Sequence, residues 1–450
     1  MKLKYYIFIL ILASIASCKP EIDEFTPDKG GADFTSYLAV GNSLTAGYAN
    51  GALYMSGQEN SFSNILATQF KTVGGGDFKQ PLMVDNYGFG FEGITPVPKL
   101  ILGPSTDCLG ETSLAPVRAP VDVNMANFQS VADQGPFNNI GIPGAKTFHL
   151  LVDSMAKLNP YYARFAPDQT TAPIELTAAI DATFFTLWIG NNDILGYAAS
   201  GGAADAMTPP ALFENYYNMI LTACIQNQPG AYDDAKGAIA NIPDILSIPF
   251  FTYMSTQLPY NGLVLTADQA AGLEILYGLF GYDFTFEEGP NAFVVENSDG
   301  TWGRMTADDL FLLTIPADSM KCNGMGVANP ETQMPFPIPH KYILDADEVS
   351  DVRAHIEEYN SIIYNLSIMY ELAHVDAQKE LAELTTGVTL DGVTLSSTFV
   401  QGNIFSLDGI HLTPMGSAFV AYKFIEAINA TYSANIPQVN LTDYDAVIFP

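Results

Sequence analysis

Positive charge is scarce in this chain. Its 450 residues carry 18 Lys and Arg against 49 Asp and Glu, a formal net charge of −31 at pH 7. That balance repels phosphate backbones and anionic headgroups, so no nucleic-acid partner is expected. Charge of either sign is thin, at 15 % of residues against 48 % hydrophobic, which excludes wholesale disorder. The 37 Gly and 28 Pro are close to ordinary usage, so collagen-like and low-complexity readings fail. Internal repeats are absent, and so is a Gly-x-Ser-x-Gly nucleophile elbow. Cysteine is rare, with four in all, and no two have zinc-site spacing.

What is present begins at the N-terminus. Lys2 and Lys4 lead into an apolar run over 5–15, followed by Ile15-Ala16-Ser17-Cys18. A basic end, a short apolar segment and small residues before a cleavage point describe a secretory signal over 1–17. The run is too short for a membrane span. Its last four residues resemble a bacterial lipobox, which implies lipid on Cys18 as the first mature residue. The chain is therefore expected at the cell envelope as an outer-membrane lipoprotein, held to the membrane through Cys18. Residues 18–34 contain Pro20, Pro27, Gly30 and Gly31 without an apolar period, and read as a tether. Residues 35–450 remain as a single domain. The other cysteines, Cys108, Cys224 and Cys322, allow one disulfide and one free thiol, and their spacing leaves the pairing open.

Apolar runs predict strands at 37–40, 182–189 and 237–240, and short strands are read at 138–142, leading into Pro143-Gly144, and at 374–376. Helical periodicity is found at 59–70, after Pro209-Pro210 with Thr208 as cap, at 346–371, and from Thr413-Pro414 onward. Strands alternating with helices predict an α/β fold with a central parallel sheet covered on both faces. Two stretches, about 73–134 and 249–343, break the rhythm and read as large insertions.

In open parallel sheets ligands bind beyond the carboxyl ends of the strands. Ser43 follows the first predicted strand, Gly144 the second and Asn192 the third, while Asp408 and His411 precede the last helix. Ester hydrolysis requires a nucleophile, a base, a group orienting that base, and donors for the oxyanion. Ser43 offers the hydroxyl. Histidine ordinarily titrates at about 6.5 and suits the role of base. Asp408, three residues before His411, is close enough for one tight loop to aim its carboxylate at the imidazole. Gly144 leaves a backbone N–H unobstructed, and Asn192 donates through its amide.

These segments resemble the conserved blocks of the SGNH or GDSL hydrolases. Gly41-Asn42-Ser43-Leu44 is similar to the first block, with Asn in place of the usual Asp. Gly141-Ile142-Pro143-Gly144-Ala145 is similar to the second, Gly190-Asn191-Asn192-Asp193 to the third, and Asp408-Gly409-Ile410-His411 to the fifth. The resemblance implies a flavodoxin-like three-layer α/β/α fold and serine-based hydrolysis of esters or acetyl groups. It also implies a triad of Ser43, His411 and Asp408, with an oxyanion hole from Ser43, Gly144 and Asn192. No metal and no organic cofactor is implied.

The expected substrate is a small-molecule, lipid or glycan ester. A lipase-like enzyme would use aromatics of 250–286 as an acyl-binding wall, whereas a carbohydrate esterase would remove acetyl groups. The alternative of another class is a non-catalytic glycan- or lipid-binding lipoprotein on the same scaffold. Gly88 to Gly93 spells a dinucleotide-loop pattern, but Pro96 and Pro98 stand where its helix should start. His149, His340, His355 and His374 read as surface or satisfied structural histidines.

Overall fold

Five short segments, buried along nearly their whole length, form the central sheet. They are β1 (Tyr37–Gly41), β2 (Asn139–Gly141), β3 (Phe184–Trp188), β4 (Lys236–Ala240) and β5 (Ala373–Val375). The computed structural model describes residues 25–226 and 235–450. The expected signal over 1–17, the lipidation site Cys18 and the first part of the tether lie outside the described residues. Every neighbouring pair in the sheet is parallel, in the spatial order 2-1-3-4-5, a doubly wound arrangement. Continuous apolar runs suit such strands because both faces are covered.

Seven helices frame the sheet and the site: α1 (Ser43–Ala46), α2 (Phe62–Lys71), α3 (Asn192–Ala198), α4 (Pro210–Ile225), α5 (Ala346–Met369), α6 (Ala377–Thr386) and α7 (Pro414–Tyr432). The helix predicted from residue 59 begins at Phe62, because Ser61 accepts from the Asn64 N–H and caps it there. Thr413 caps α7 by accepting from the Gly416 N–H, with Pro414 in the first turn, where its missing N–H costs nothing. Thr208 does not cap α4. Its hydroxyl donates instead to the buried Asp193 carboxylate at 2.8 Å, and Pro209 occupies the cap position. A buried carboxylate needs donors more than an exposed helix end does.

Helices α2 and α7 pack as a pair, with the Phe62 ring 5.2 Å from Phe424 and 5.6 Å from Trp188 of β3. Helices α4 and α5 pair through Phe213 stacked on Tyr359 at 3.8 Å. All five rings are buried, each contributing about 1.5–3 kcal/mol on leaving water. The result is a mixed α/β arrangement, compatible with three α/β/α layers. Among the described residues no helix is long and apolar enough to cross a membrane.

The ordered domain starts before residue 35. Asp28 pairs with Asn435, and the Gly31 N–H donates to the Tyr432 carbonyl at 2.7 Å. Phe34 is 1 % exposed and stacks on Phe70. A buried aromatic ring holds down a segment whose composition suggests a free tether.

The first insertion forms two hairpins, Gly90–Glu92 with Thr95–Val97 and Leu100–Thr106 with Thr112–Arg118. The run from Gly88 to Gly93 belongs to the first hairpin. The second insertion carries the helices Pro249–Gln257, Ala267–Leu279 and Ala317–Cys322, short antiparallel pairs, and two small apolar clusters, one including Phe311 and the other Tyr277. Cys108 and Cys322 form a disulfide that joins the two insertions, and Cys224 is a buried free thiol of α4. The disulfide closes a sequence separation of 214 residues. Cys322→Ser should therefore lower stability by about 2–5 kcal/mol in the chain-entropy account. Urea titrations of parent and variant check this, and equal midpoints would contradict it.

Candidate active site

The carboxyl ends of β1 and β2 stop at Gly41 and Gly141, which are partners in register. A Cβ on Gly41 would come within 2.1 Å of the Thr45 Oγ1, and one on Gly141 within 2.3 Å of the Ala46 nitrogen. Only glycine lets α1 lie so closely across the strand ends. Ser43 opens that short helix and is 7 % exposed. Asn42 holds the turn, its Oδ1 accepting from the Leu44 N–H at 3.0 Å, an acceptor that an Asp carboxylate would supply equally.

His411 reaches the same place from the loop before α7. Its Nε2 is 2.9 Å from the Ser43 Oγ, and its Nδ1 is 2.9 Å from the Asp408 Oδ2. The Tyr48 ring lies against the imidazole, with centroids 4.6 Å apart. Three residues separated by up to 368 positions thus form one hydrogen-bonded chain. Its polarity permits proton transfer from the serine hydroxyl to the imidazole.

Asp408 sits in a ring of donors. Its Oδ1 accepts from the N–H groups of Ile410 and His411 and from the Ser406 hydroxyl, and its Oδ2 also accepts from the Gly51 N–H at 2.7 Å. Burial alone would raise its pKa. The His411 imidazole and the donors outweigh burial and hold this carboxyl well below the usual carboxylate range. Asn50 links the two loops, since its N–H donates to the Ser406 Oγ and its Oδ1 accepts from the Leu407 N–H. Arg118 of the first insertion donates to the Gly51 and Pro98 carbonyls and pairs with Glu92 at 2.8 Å. Gly51, Asn50, Ser406 and Arg118 were not among the sequence-predicted residues. The only local signal was the turn-forming Asn50-Gly51 pair.

Asn192 begins α3, and one N–H of its amide donates to the Ala145 carbonyl at 3.0 Å. An amide nitrogen carries two N–H groups, which leaves a second for the cavity that Asn192 lines together with Ser43 and His411. Gly144 lies three residues beyond Gly141, with φ +77° and open space where a Cβ would project. It is outside that cavity's lining. Asp193 braces these segments from below. It accepts from the Thr147 N–H, the Thr147 hydroxyl and the Thr208 hydroxyl. Burial raises its pKa despite those donors.

The cavity beside Ser43 measures about 100 Å³. It runs over Trp188, Ala240 and Val375 at the strand ends, then between α6 and α7 past Leu381, Leu384, Phe419, Val420 and Phe424. Apart from Asn42, Ser43, Asn191, Asn192 and His411, the polar lining is the Glu380–Lys423 ion pair. Residues 250–286 do not line this cavity, contrary to the expectation that their aromatics would supply the wall. Phe250, Phe251 and Phe286 are buried in packing instead. The chain matches no protein-family model, and no curated protein matches it.

Proposed function

We propose that this chain is an exported serine acylhydrolase with the flavodoxin-like SGNH fold, anchored through lipid on Cys18. The observation that carries the reading is the unbroken chain from Ser43 through His411 to Asp408, with 2.9 Å at each link. Ser43 Oγ attacks the ester carbonyl while His411 Nε2 takes its proton. Asp408 keeps the other imidazole proton on Nδ1 and stabilises the imidazolium. The Ser43 N–H and the Asn192 amide receive the oxyanion, and the Gly144 N–H is added as a third donor on the family resemblance alone. The alcohol leaves with the proton from His411, and water repeats the sequence to free the acid from Ser43.

The cavity favours a lipid-like acyl chain over acetate. Its wall from Trp188 to Phe424 is far more apolar than an acetyl group requires, and burying each methylene contributes about 0.8 kcal/mol. On nitrophenyl esters from acetate to long acyl chains, kcat/KM should therefore rise with chain length. Val420→Trp should cut the long-chain value by about 5- to 150-fold while sparing acetate, if about 1–3 kcal/mol of acyl burial is lost. A preference for acetate would move the reading to a carbohydrate esterase. Silence on every ester, with no labelling of Ser43 by an organophosphonate, would overturn hydrolysis in favour of a binding protein.

A further inference from the structure

A second cluster of ligand-bearing side chains lies away from Ser43, where the second insertion returns to the sheet domain. Asp345 caps α5, and Glu348 stands three residues into the cap in a capping box. Asp345 Oδ1 accepts from the Glu348 N–H, and Glu348 Oε2 accepts from the Asp345 N–H, both at 2.9 Å. Each carboxylate uses one oxygen in this way. The other two, Asp345 Oδ2 and Glu348 Oε1, lie 4.0 and 3.3 Å from His340 Nε2. That nitrogen is shielded from solvent and makes no hydrogen bond, so His340 fits neither the surface nor the satisfied structural histidine of the sequence reading. The three ligand atoms lie within 4.8 Å of one another.

No hydrogen bond joins His340 Nε2 to either carboxylate. Charge adds a second argument. Asp309 also approaches, its Oδ1 accepting from the Ala346 N–H. Among the described residues no Lys or Arg pairs with Asp309, Asp345 or Glu348. Two carboxylates balance the charge of a divalent ion, and the imidazole adds a nitrogen ligand. The loop behind α3 closes one side, since a Cβ on Gly202, at φ +68°, would fall 1.9 Å from Glu348 Oε1. Tetrahedral bonds of about 2.0–2.1 Å place neighbouring ligand atoms about 3.3 Å apart. The His340–Glu348 pair already has that spacing, and a small side-chain rotation brings in Asp345.

We propose that His340, Asp345 and Glu348 bind a divalent transition cation of the Zn²⁺ type, with solvent at the fourth position beside the 39 %-exposed Asp345 side chain. One imidazole with two carboxylates suits such an ion better than Ca²⁺, which takes six to eight oxygens. The ion would be structural. It fastens the exit of the second insertion to α5 and to the loop that follows α3, the helix Asn192 begins. The proposal does not depend on ester hydrolysis.

The test uses the purified full chain, stripped with a chelator and titrated with Zn²⁺ by calorimetry, with melting measured with and without the ion. One equivalent should bind and raise the melting midpoint, as any ligand of the native state does. His340→Gln should weaken binding by at least about tenfold and remove the rise, with the metal-free midpoint near that of the parent. Asp345→Asn retains a capping side chain and serves as the second variant should the first not fold. No binding by the parent, or binding undiminished in a folded variant, would overturn the proposal.

Discussion

Ser43→Ala should lower kcat/KM on nitrophenyl esters by about 10³- to 10⁶-fold, with the circular dichroism spectrum unchanged. The Ser43 side chain contributes one hydroxyl to the site, and its partner is His411 Nε2. Removing it deletes the proposed nucleophile and leaves the surrounding packing in place, so folding and activity should separate. The proposed oxyanion donors remain in this variant and would account for whatever slow turnover persists. Labelling by an organophosphonate should vanish in parallel. A variant that retained a tenth of the parent's rate would rule out an acyl-Ser43 intermediate.

Asp408→Asn should reduce kcat by about 10⁴-fold, because an amide facing Nδ1 favours the wrong imidazole tautomer. Nε2 would then carry the proton and could not receive another from Ser43. Stability should fall as well, by about 2–4 kcal/mol, since the amide nitrogen turns an N–H toward donors that now have a carboxylate. The sign with pH follows from the depressed carboxyl of Asp408. Its contribution is fully present above the unfolded value of about 3.9 and is lost as pH falls through the lower folded value. Denaturant midpoints of parent and variant should thus differ most above pH 4 and converge in stronger acid. A constant gap down to pH 2 would show that the lost interactions are not those of an ionised carboxylate.

Much of the scaffold was legible because its signals are local. Apolar runs marked β1, β3 and β4, and Thr413-Pro414 marked the start of α7. Asp408 and His411 are joined by a loop short enough to be read from spacing. Other features depended on partners far along the chain. The Gly51 N–H reaches Asp408 across 357 residues, and no composition or period announces such a contact. Thr208 looked like a cap locally, but Asp193 had the stronger claim on its hydroxyl. The tether over 28–34 looked free because the ring that holds it, Phe70, belongs to another element.

The sequence by itself determined the alternation of strands and helices, the places of Ser43, Gly144 and Asn192 after strand ends and of Asp408 and His411 before the last helix, and the two interruptions. These follow from side-chain periodicity and short spacings, which a linear chain carries openly. Only the tertiary structure decided the strand order, the pairing of Cys108 with Cys322, and the source of the cavity wall in α6 and α7 rather than in 250–286. It alone joined His340 to the capping box of α5. Each of these depends on which distant surfaces meet once the apolar faces are buried.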